Sequence, residues 1–153
     1  AVVGERADRV VEEIGAIPWD AVLRRHAAKP INGEALECLA VRSDCPRELL
    51  PVVVEEFSVA DLGWALESVL RQRLTAEEIL RDAVPAAAAA GLLADSGYGG
   101  GPDFGARLAE AGAELRRILG DSPDAWAVAV HLLPDFSGTL TELAATAAAA
   151  VGP

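Results

Sequence analysis

The chain of 153 residues has no methionine, two histidines, two cysteines and only 5% aromatic residues. Two histidines and two cysteines leave little material for a metal centre or for a catalytic site built on several imidazoles. Hydrophobic residues nevertheless make up 52% of the chain, and the excess is alanine. We therefore expect a thin-layered interior in which small side chains let helix backbones lie close together.

Basic residues are also scarce, since 13 Lys and Arg oppose 24 Asp and Glu and give a formal net charge of −11. Such a field repels phosphate backbones. The best basic clusters, Arg24-Arg25 with Lys29 and Arg116-Arg117, are short and flanked by acidic residues. A nucleic-acid partner is therefore not expected.

The cysteine pattern and the hydrophobic tracts indicate the cellular compartment in which the protein is expected. Cys38 and Cys45 lie seven positions apart, which is neither a disulfide framework nor a zinc motif. The segment 1–6 has no basic and apolar regions typical of a signal peptide. The alanine-rich tracts 85–93 and 144–151 are shorter than the run of about 20 apolar residues that a bilayer requires. We expect a cytoplasmic protein without a membrane partner.

The composition also suggests an origin. Methionine is missing even at position 1, which leads us to expect a domain of a longer polypeptide. The preference for Ala, Gly, Arg, Asp and Val over Lys, Ile and Asn indicates a high-GC bacterial source.

Apolar residues recur at helical spacing almost everywhere, and strict alternation over the length of a strand is missing. Prolines, glycines and capping residues divide this pattern into short segments, which include a first segment over 3–14. The sequence therefore predicts an all-α fold of about eight or nine short helices, arranged as stacked antiparallel pairs in an irregular helical repeat or a compact bundle.

Individual helix ends are predicted from capping residues. Asn32 is a predicted N-cap, and the segments 58–61, 75–78 and 139–142 resemble capping boxes. Pro51 lies inside a predicted helix that opens near Pro46, and an irregularity is expected there. Three further predictions complete the pattern: Pro85 breaks a helix, Gly120 closes one, and Pro123 opens one with an apolar face of Trp126, Ala129, Val130 and Leu133.

Glycine is concentrated in one segment, 97–102, which we interpret as an exposed flexible loop. No Lys-Ser or Lys-Thr follows this glycine run and no strand precedes it, so a phosphate-binding loop is not predicted. We expect a single domain over 1–153, which the loop would divide into 1–96 and 103–153.

No catalytic constellation is evident. His26 lies near a predicted helix end and suits a polar or capping role, whereas His131 lies among Val130 and Leu132 and is predicted to be a half-buried core residue. Neither histidine has a partner at metal-binding helical spacing, so no metal or cofactor is predicted. Cys45 directly precedes a helix and has some claim as a nucleophile, while Cys38 is predicted to be a small buried hydrophobe.

Two aromatic residues are candidates for contact with a partner. Trp64 falls off the main apolar stripe of its helix, and a partly exposed tryptophan is typical of an interface hot spot, although a core role is the alternative. Tyr98 lies in the glycine-rich loop, from which an aromatic ring could reach a ligand or a partner.

One segment resembles a known family. Glu34-Ala35-Leu36-Glu37-Cys38-Leu39-Ala40 through Asp44-Cys45-Pro46-Arg47-Glu48-Leu49-Leu50 is similar to the helix, Asp-x-Pro turn, helix unit of leucine-rich-variant and HEAT-like repeats. The segment 121–143 repeats the arrangement less specifically, with Asp121-Ser122-Pro123 before its helix. The resemblance implies stacked helix pairs and protein binding, and it supplies no catalytic residues.

These observations favour a non-catalytic scaffold or adaptor domain that binds a protein partner. One alternative is an acidic inhibitor or immunity protein that covers a basic partner. Another is a small helical enzyme, or a ligand-binding accessory domain, with a pocket near Tyr98.

Overall fold

The computed structural model describes residues 15–56, 64–94 and 104–152, without the side chains of Glu56, Trp64, Ala65 and Phe104. Within these ranges the chain forms nine α-helices, two short 3₁₀ helices and no strand, which confirms the all-α prediction. The α-helices are α1 (Trp19–Ala28), α2 (Gly33–Ala40), α3 (Leu50–Glu56), α4 (Trp64–Arg73), α5 (Ala76–Arg81), α6 (Ala86–Leu93), α7 (Phe104–Leu119), α8 (Pro123–Leu132) and α9 (Leu140–Val151). The helix predicted over 3–14, the capping box at 58–61 and the loop at 97–102 lie outside the described residues.

Side-chain caps begin the helices where the sequence predicts them. The Asn32 Oδ1 accepts a hydrogen bond of 2.9 Å from the backbone N–H of Ala35 and caps α2. Thr75 and Glu78 form a reciprocal capping box at the start of α5, and Thr139 and Glu142 form another at the start of α9. Each box satisfies two backbone donors that the first turn of a helix would otherwise leave unpaired.

Prolines and a glycine set the remaining boundaries. The helix expected from Pro46 begins as a 3₁₀ turn, Arg47–Leu49, and becomes α-helical at Leu50. Pro51 is thus the second residue of α3, where its missing N–H breaks no hydrogen bond, and the expected irregularity precedes it. Gly120 ends α7 with a φ of 66°, a conformation that favours glycine.

The buried residues form two clusters, a larger one in which leucine is the commonest residue and a smaller one that consists mainly of alanine. The main core cluster includes Leu36, Leu49, Leu50, Leu66, Leu70, Leu74, Ile79, Leu92, Leu140 and Leu143. It therefore joins helices from both sides of the segment 97–102. A second cluster, between α7, α8 and α9, consists of Leu119, Ala125, Ala129, Ala144 and Ala147. Such small residues let α8 pack closely on α9, as the composition predicts.

Arginine side chains of one helix donate hydrogen bonds to carbonyl oxygens at the end of another helix. Arg71 on α4 donates to the carbonyl oxygens of Gly91 and Ala94, at 2.9 and 2.6 Å, at the end of α6. Arg107 on α7 donates to the carbonyl oxygens of Arg71 and Leu74 at the end of α4. The carbonyls of a last helical turn have no partner within their own helix, and the guanidinium fork can bind two at once. This use of the fork suits a chain with twelve arginines and one lysine.

Helix α9 is the central element of the second half. It packs against α5, α6, α7 and α8, and the Thr141 Oγ1 donates a hydrogen bond of 3.0 Å to the Leu80 carbonyl oxygen of α5. Helices α7 and α8 both pack extensively on α9 but make few contacts with each other. This arrangement leaves a gap between α7 and α8 in which α9 forms the floor.

Candidate functional site

The gap between α7 and α8 is an apolar groove with a volume of about 280 Å³. Its sides come from α7, α8 and the end of α6, and its floor comes from α9. The lining residues are Ala90, Leu93, Ala94, Leu108, Ala111, Gly112, Leu115, Ala129, Val130, Leu133, Leu140, Leu143 and Ala144. None of these described side chains is charged or polar, so this part of the groove offers hydrophobic contact.

Helical spacing places these residues on shared faces. On α7, Leu108, Ala111, Gly112 and Leu115 follow positions i, i+3, i+4 and i+7, which form one stripe along a helix. The stripe spans about 10 Å at the usual helical rise. Its residue Ala111 is buried, while Leu108 remains 45% exposed, so the same stripe contacts the core and also opens into the groove.

The rim of the groove carries exposed aliphatic side chains. Leu108 on α7 is 45% exposed and Val130 on α8 is 67% exposed. Among the described residues, Val41 and Val151 are the other exposed large hydrophobic residues, and neither lines the groove. The coincidence of exposed apolar side chains and an apolar depression is typical of an interaction surface.

Gly112 lies in the groove wall, in the middle of α7. A Cβ atom at this position would meet no heavy atom within 4 Å, so the protein's own packing does not require glycine. Glycine in a helix interior costs about 1 kcal/mol relative to alanine. Gly105, in the first turn of α7, also has open space around it but does not line the groove.

The opposite face of α7 borders a polar groove of about 420 Å³, shared with α5. Its lining includes the acidic residues Glu77, Glu110 and Glu114 and the basic residues Arg81 and Arg117. The Glu114 carboxylate accepts bonds of 2.8 and 2.9 Å from Arg117 and lies 3.6 Å from the Arg81 Nη2. Arg117, followed by Arg81, lowers the pKa of Glu114 to about 2. A carboxyl group with a pKa this far below neutral pH stays ionised and is poorly suited to act as a general acid or base.

The side chains of the two aromatic candidates for partner contact lie outside the described part of the chain. Trp64 is the first residue of α4, but its side chain lies outside the described part of the chain. Tyr98 also lies outside it, in the segment that follows the groove-lining residue Ala94 and precedes α7. The other two tryptophans are half-buried: Trp19 Nε1 donates to Asp44 Oδ2 at 3.2 Å, and Trp126 Nε1 donates to the Gly120 carbonyl oxygen at 3.1 Å.

The histidines have different environments. The His26 Nδ1 accepts a hydrogen bond of 3.2 Å from the backbone N–H of Ile31, three residues beyond the end of α1, so this side chain has a polar role and does not cap the helix. The prediction of a half-buried His131 is wrong, because this residue is exposed. Helix α8 turns Ala125 and Ala129 toward α9, so Val130 and His131 fall on its outer side. Val130 shares the predicted apolar face of α8 with Ala129 and Leu133, and all three line the groove, where Val130 is 67% exposed.

The cysteines are not arranged for nucleophilic catalysis. Cys45 is 3% exposed, and its Sγ lies 3.6 Å from the Pro46 carbonyl oxygen, to which it donates. Burial raises the pKa of the Cys45 thiol, although Arg73 opposes this shift. Cys38 is partly exposed rather than buried. Within the described ranges, no group of His, Cys, Asp and Glu side chains could hold a metal ion.

No family model, curated protein or solved structure matches the chain. The groove is therefore interpreted from its own residues. Sequence reasoning did not identify Leu108, Gly112 and Val130 as a site. The available signal was the glycine within the apolar stripe of α7, and the sequence does not show that this stripe faces an open groove. No helix in the described ranges is long and apolar enough to cross a bilayer.

Proposed function

We propose that this protein is a non-catalytic helical scaffold or adaptor domain that binds a protein partner through the groove between α7 and α8. The observation that carries the proposal is the exposure of Leu108 and Val130 on the rim of an uncharged apolar groove. Contact of aliphatic side chains with water is unfavourable, and a partner that covers them lowers the free energy by about 25 cal/mol per Å² of apolar surface buried.

The size and the chemistry of the groove favour a protein over a metabolite. A volume of about 280 Å³ lies just below the usual range of small-molecule pockets, about 300–1,000 Å³. Small-molecule sites also present a few polar groups that orient the ligand, and the described residues of this lining include none. A partner side chain inserted from a larger surface requires no such groups.

The test is affinity capture from a lysate of the source organism at low and moderate salt, with stoichiometric partners identified by mass spectrometry. Val130→Asp is the informative variant, because a carboxylate at this exposed position alters the groove without disturbing the core. Val41→Asp is the matched control, since Val41 is exposed but does not line the groove.

A partner retained by the wild type and by Val41→Asp but lost by Val130→Asp supports the proposal. A partner retained equally by all three proteins contradicts the assignment of the groove. Recovery of no protein, together with thermal stabilisation by a small metabolite, would contradict the scaffold function itself and favour a ligand-binding domain.

Charge favours the inhibitor or immunity-protein alternative as a second form of protein binding. The formal net charge of −11 suits a basic partner, and the affinity for such a partner would fall steeply with salt. The enzyme alternative has less support, because Cys45 is buried with a raised pKa and His131 is exposed on α8.

Two further sequence-based expectations remain part of this proposal. The similarity of 34–50 to leucine-rich-variant and HEAT-like repeats is compatible with protein binding by stacked helix pairs. A cytoplasmic location is proposed because the spacing of Cys38 and Cys45 is not that of a disulfide framework.

A further inference from the structure

We propose that the occupant of the groove is an amphipathic α-helix of the partner, which crosses α7 at Gly112 with small or aliphatic residues and carries Lys or Arg on its flanks. This inference rests on the proposed function and specifies the partner's chemistry. Three observations support it: a glycine that the protein's own packing does not require, the shape of the groove and the acidic net charge of the chain.

Gly112 is the first observation. It lies nine residues into the 16-residue helix α7, so it neither caps nor ends the helix. A Cβ atom there would contact nothing within the protein, so alanine would fit and would make the helix more stable. The open space at Gly112 allows another helix backbone to approach α7 closely from outside. Helices approach closely where one presents a residue without a side chain.

The shape of the groove is the second observation. Helices α7 and α8 form two walls and α9 forms the floor, so an added helix would lie against three helices and complete a four-helix arrangement. The stripe from Leu108 to Leu115 covers about two helical turns, which matches apolar anchors at i, i+3, i+4 and i+7 on the occupant. A strand has its apolar residues at a period of two and would not match this spacing.

Charge is the third observation. The chain carries a formal net charge of −11, and in the described range 104–152 five exposed acidic residues take part in no ion pair: Glu110, which borders the polar groove, and Asp121, Asp124, Asp135 and Glu142. In the same range Arg116 is the one exposed arginine outside an ion pair, because Glu114 engages Arg117. A partner helix with Lys or Arg beside its apolar face complements this surface. A second copy of this acidic chain does not.

The first experiment is a selection from a displayed library of random peptides about 16 residues long, long enough for four helical turns. Peptides are selected on the intact domain and counter-selected on Val130→Asp. We expect groove-dependent peptides with small or aliphatic residues every three or four positions and Lys or Arg elsewhere. Enriched peptides with alternating, acidic or unpatterned sequences would overturn the inference.

The second experiment compares two glycine variants, with the best selected peptide as the probe. Gly112→Ala should raise the melting temperature by about 2–4 °C but weaken peptide binding about tenfold, because the added methyl group blocks close approach. Gly105→Ala, outside the groove, should leave binding unchanged and raise the melting temperature by no more than Gly112→Ala. Gly112→Leu should abolish binding while the circular-dichroism spectrum stays helical.

Equal affinity of the wild type and Gly112→Ala would overturn the helix-crossing inference. The same result would leave the proposed function intact if capture of a protein still depended on Val130. Concentration-dependent dimerisation of the domain that Val130→Asp abolishes would identify a second copy as the occupant and also overturn the inference. Failure of both the capture and the peptide selection would reject the two proposals together.

Discussion

The Arg71 guanidinium, on α4, donates a hydrogen bond of 2.6 Å to the carbonyl oxygen of Ala94, just beyond the end of α6. Ala94 lines the apolar groove, so this bond fixes one edge of the candidate site to the core. The same guanidinium bonds the Glu67 carboxylate at 2.6 Å, and Arg71 is only 8% exposed. The charge of Arg71 is thus balanced by Glu67, and the same side chain binds the carbonyl oxygens at the end of α6.

Replacement of Arg71 should be costly. Arg71→Ala removes the side-chain donor from the carbonyl oxygens of Gly91 and Ala94 and removes the ion-pair partner of Glu67, and we expect a loss of about 3 kcal/mol of unfolding free energy. The matched control is Arg81→Ala, which removes the exposed ion pairs of Arg81 with Glu77 and Glu114 and should cost less than about 1 kcal/mol. Urea unfolding measures both variants, and equal losses would contradict the role assigned to Arg71.

The alanine interface between α8 and α9 gives a second prediction. Ala147 is 0% exposed, so Ala147→Leu must force the two helices apart, and we expect a loss of about 1–3 kcal/mol. Ala149→Leu places the same side chain on the exposed face of α9 and should change stability by less than about 0.5 kcal/mol. If thermal unfolding showed that Ala147→Leu is neutral, the close packing described here would be wrong.

The two thiols should react at different rates. Burial protects Cys45 and raises its pKa, so the native protein should be alkylated there at least about tenfold more slowly than the unfolded chain. Partly exposed Cys38 should react faster than Cys45. Iodoacetamide labelling of Cys38→Ser and Cys45→Ser, followed by mass spectrometry, separates the two rates. Rapid native labelling of Cys45 would restore its candidacy as a nucleophile.

The Glu114 cluster predicts a dependence of stability on pH. Because Arg117 and Arg81 lower the pKa of Glu114 from 4.5 to about 2 in the folded state, its carboxylate stabilises the fold above about pH 4.5. That contribution should be lost as the pH falls toward 2. Glu114→Gln should therefore be less stable than the wild type near neutral pH, with a difference that disappears near pH 2.

Urea unfolding across this pH range checks the expectation, and Glu110→Gln is the control. Glu110 borders the same polar groove but takes part in no ion pair among the described residues. Its replacement should leave stability almost unchanged at every pH. An acid-dependent difference as large for Glu110→Gln as for Glu114→Gln would show that the overall charge, rather than the ion pairs of Glu114, determines the effect.

Local signals in the sequence were enough to predict much of the fold. The Asn32 cap, the capping boxes at Thr75 and Thr139 and the helix end at Gly120 are each formed by residues within a few positions of one another. Such interactions depend on the local backbone, so residue type and spacing identify them. The prediction failed at His131, because the face of α8 that is buried depends on which helix packs against it.

The candidate site was not predictable in the same way. Leu108, Gly112 and Leu115 form a helical stripe that looks like any core-facing stripe. They border an open groove only because α7 and α8 both pack against α9 and leave a space between them. Periodicity reports that a face is apolar, but it does not report how fully a neighbour covers it.

The sequence by itself determined the all-α class, the positions of most helix ends and an alanine-rich interior, because these follow from short-range hydrogen bonding and from side-chain size. Only the tertiary structure decided that arginines join the ends of separate helices and that an apolar groove stays open beside Leu108 and Val130. Those features arise from contacts between residues far apart in the chain, whose partners are chosen by the packing of whole helices rather than by local spacing.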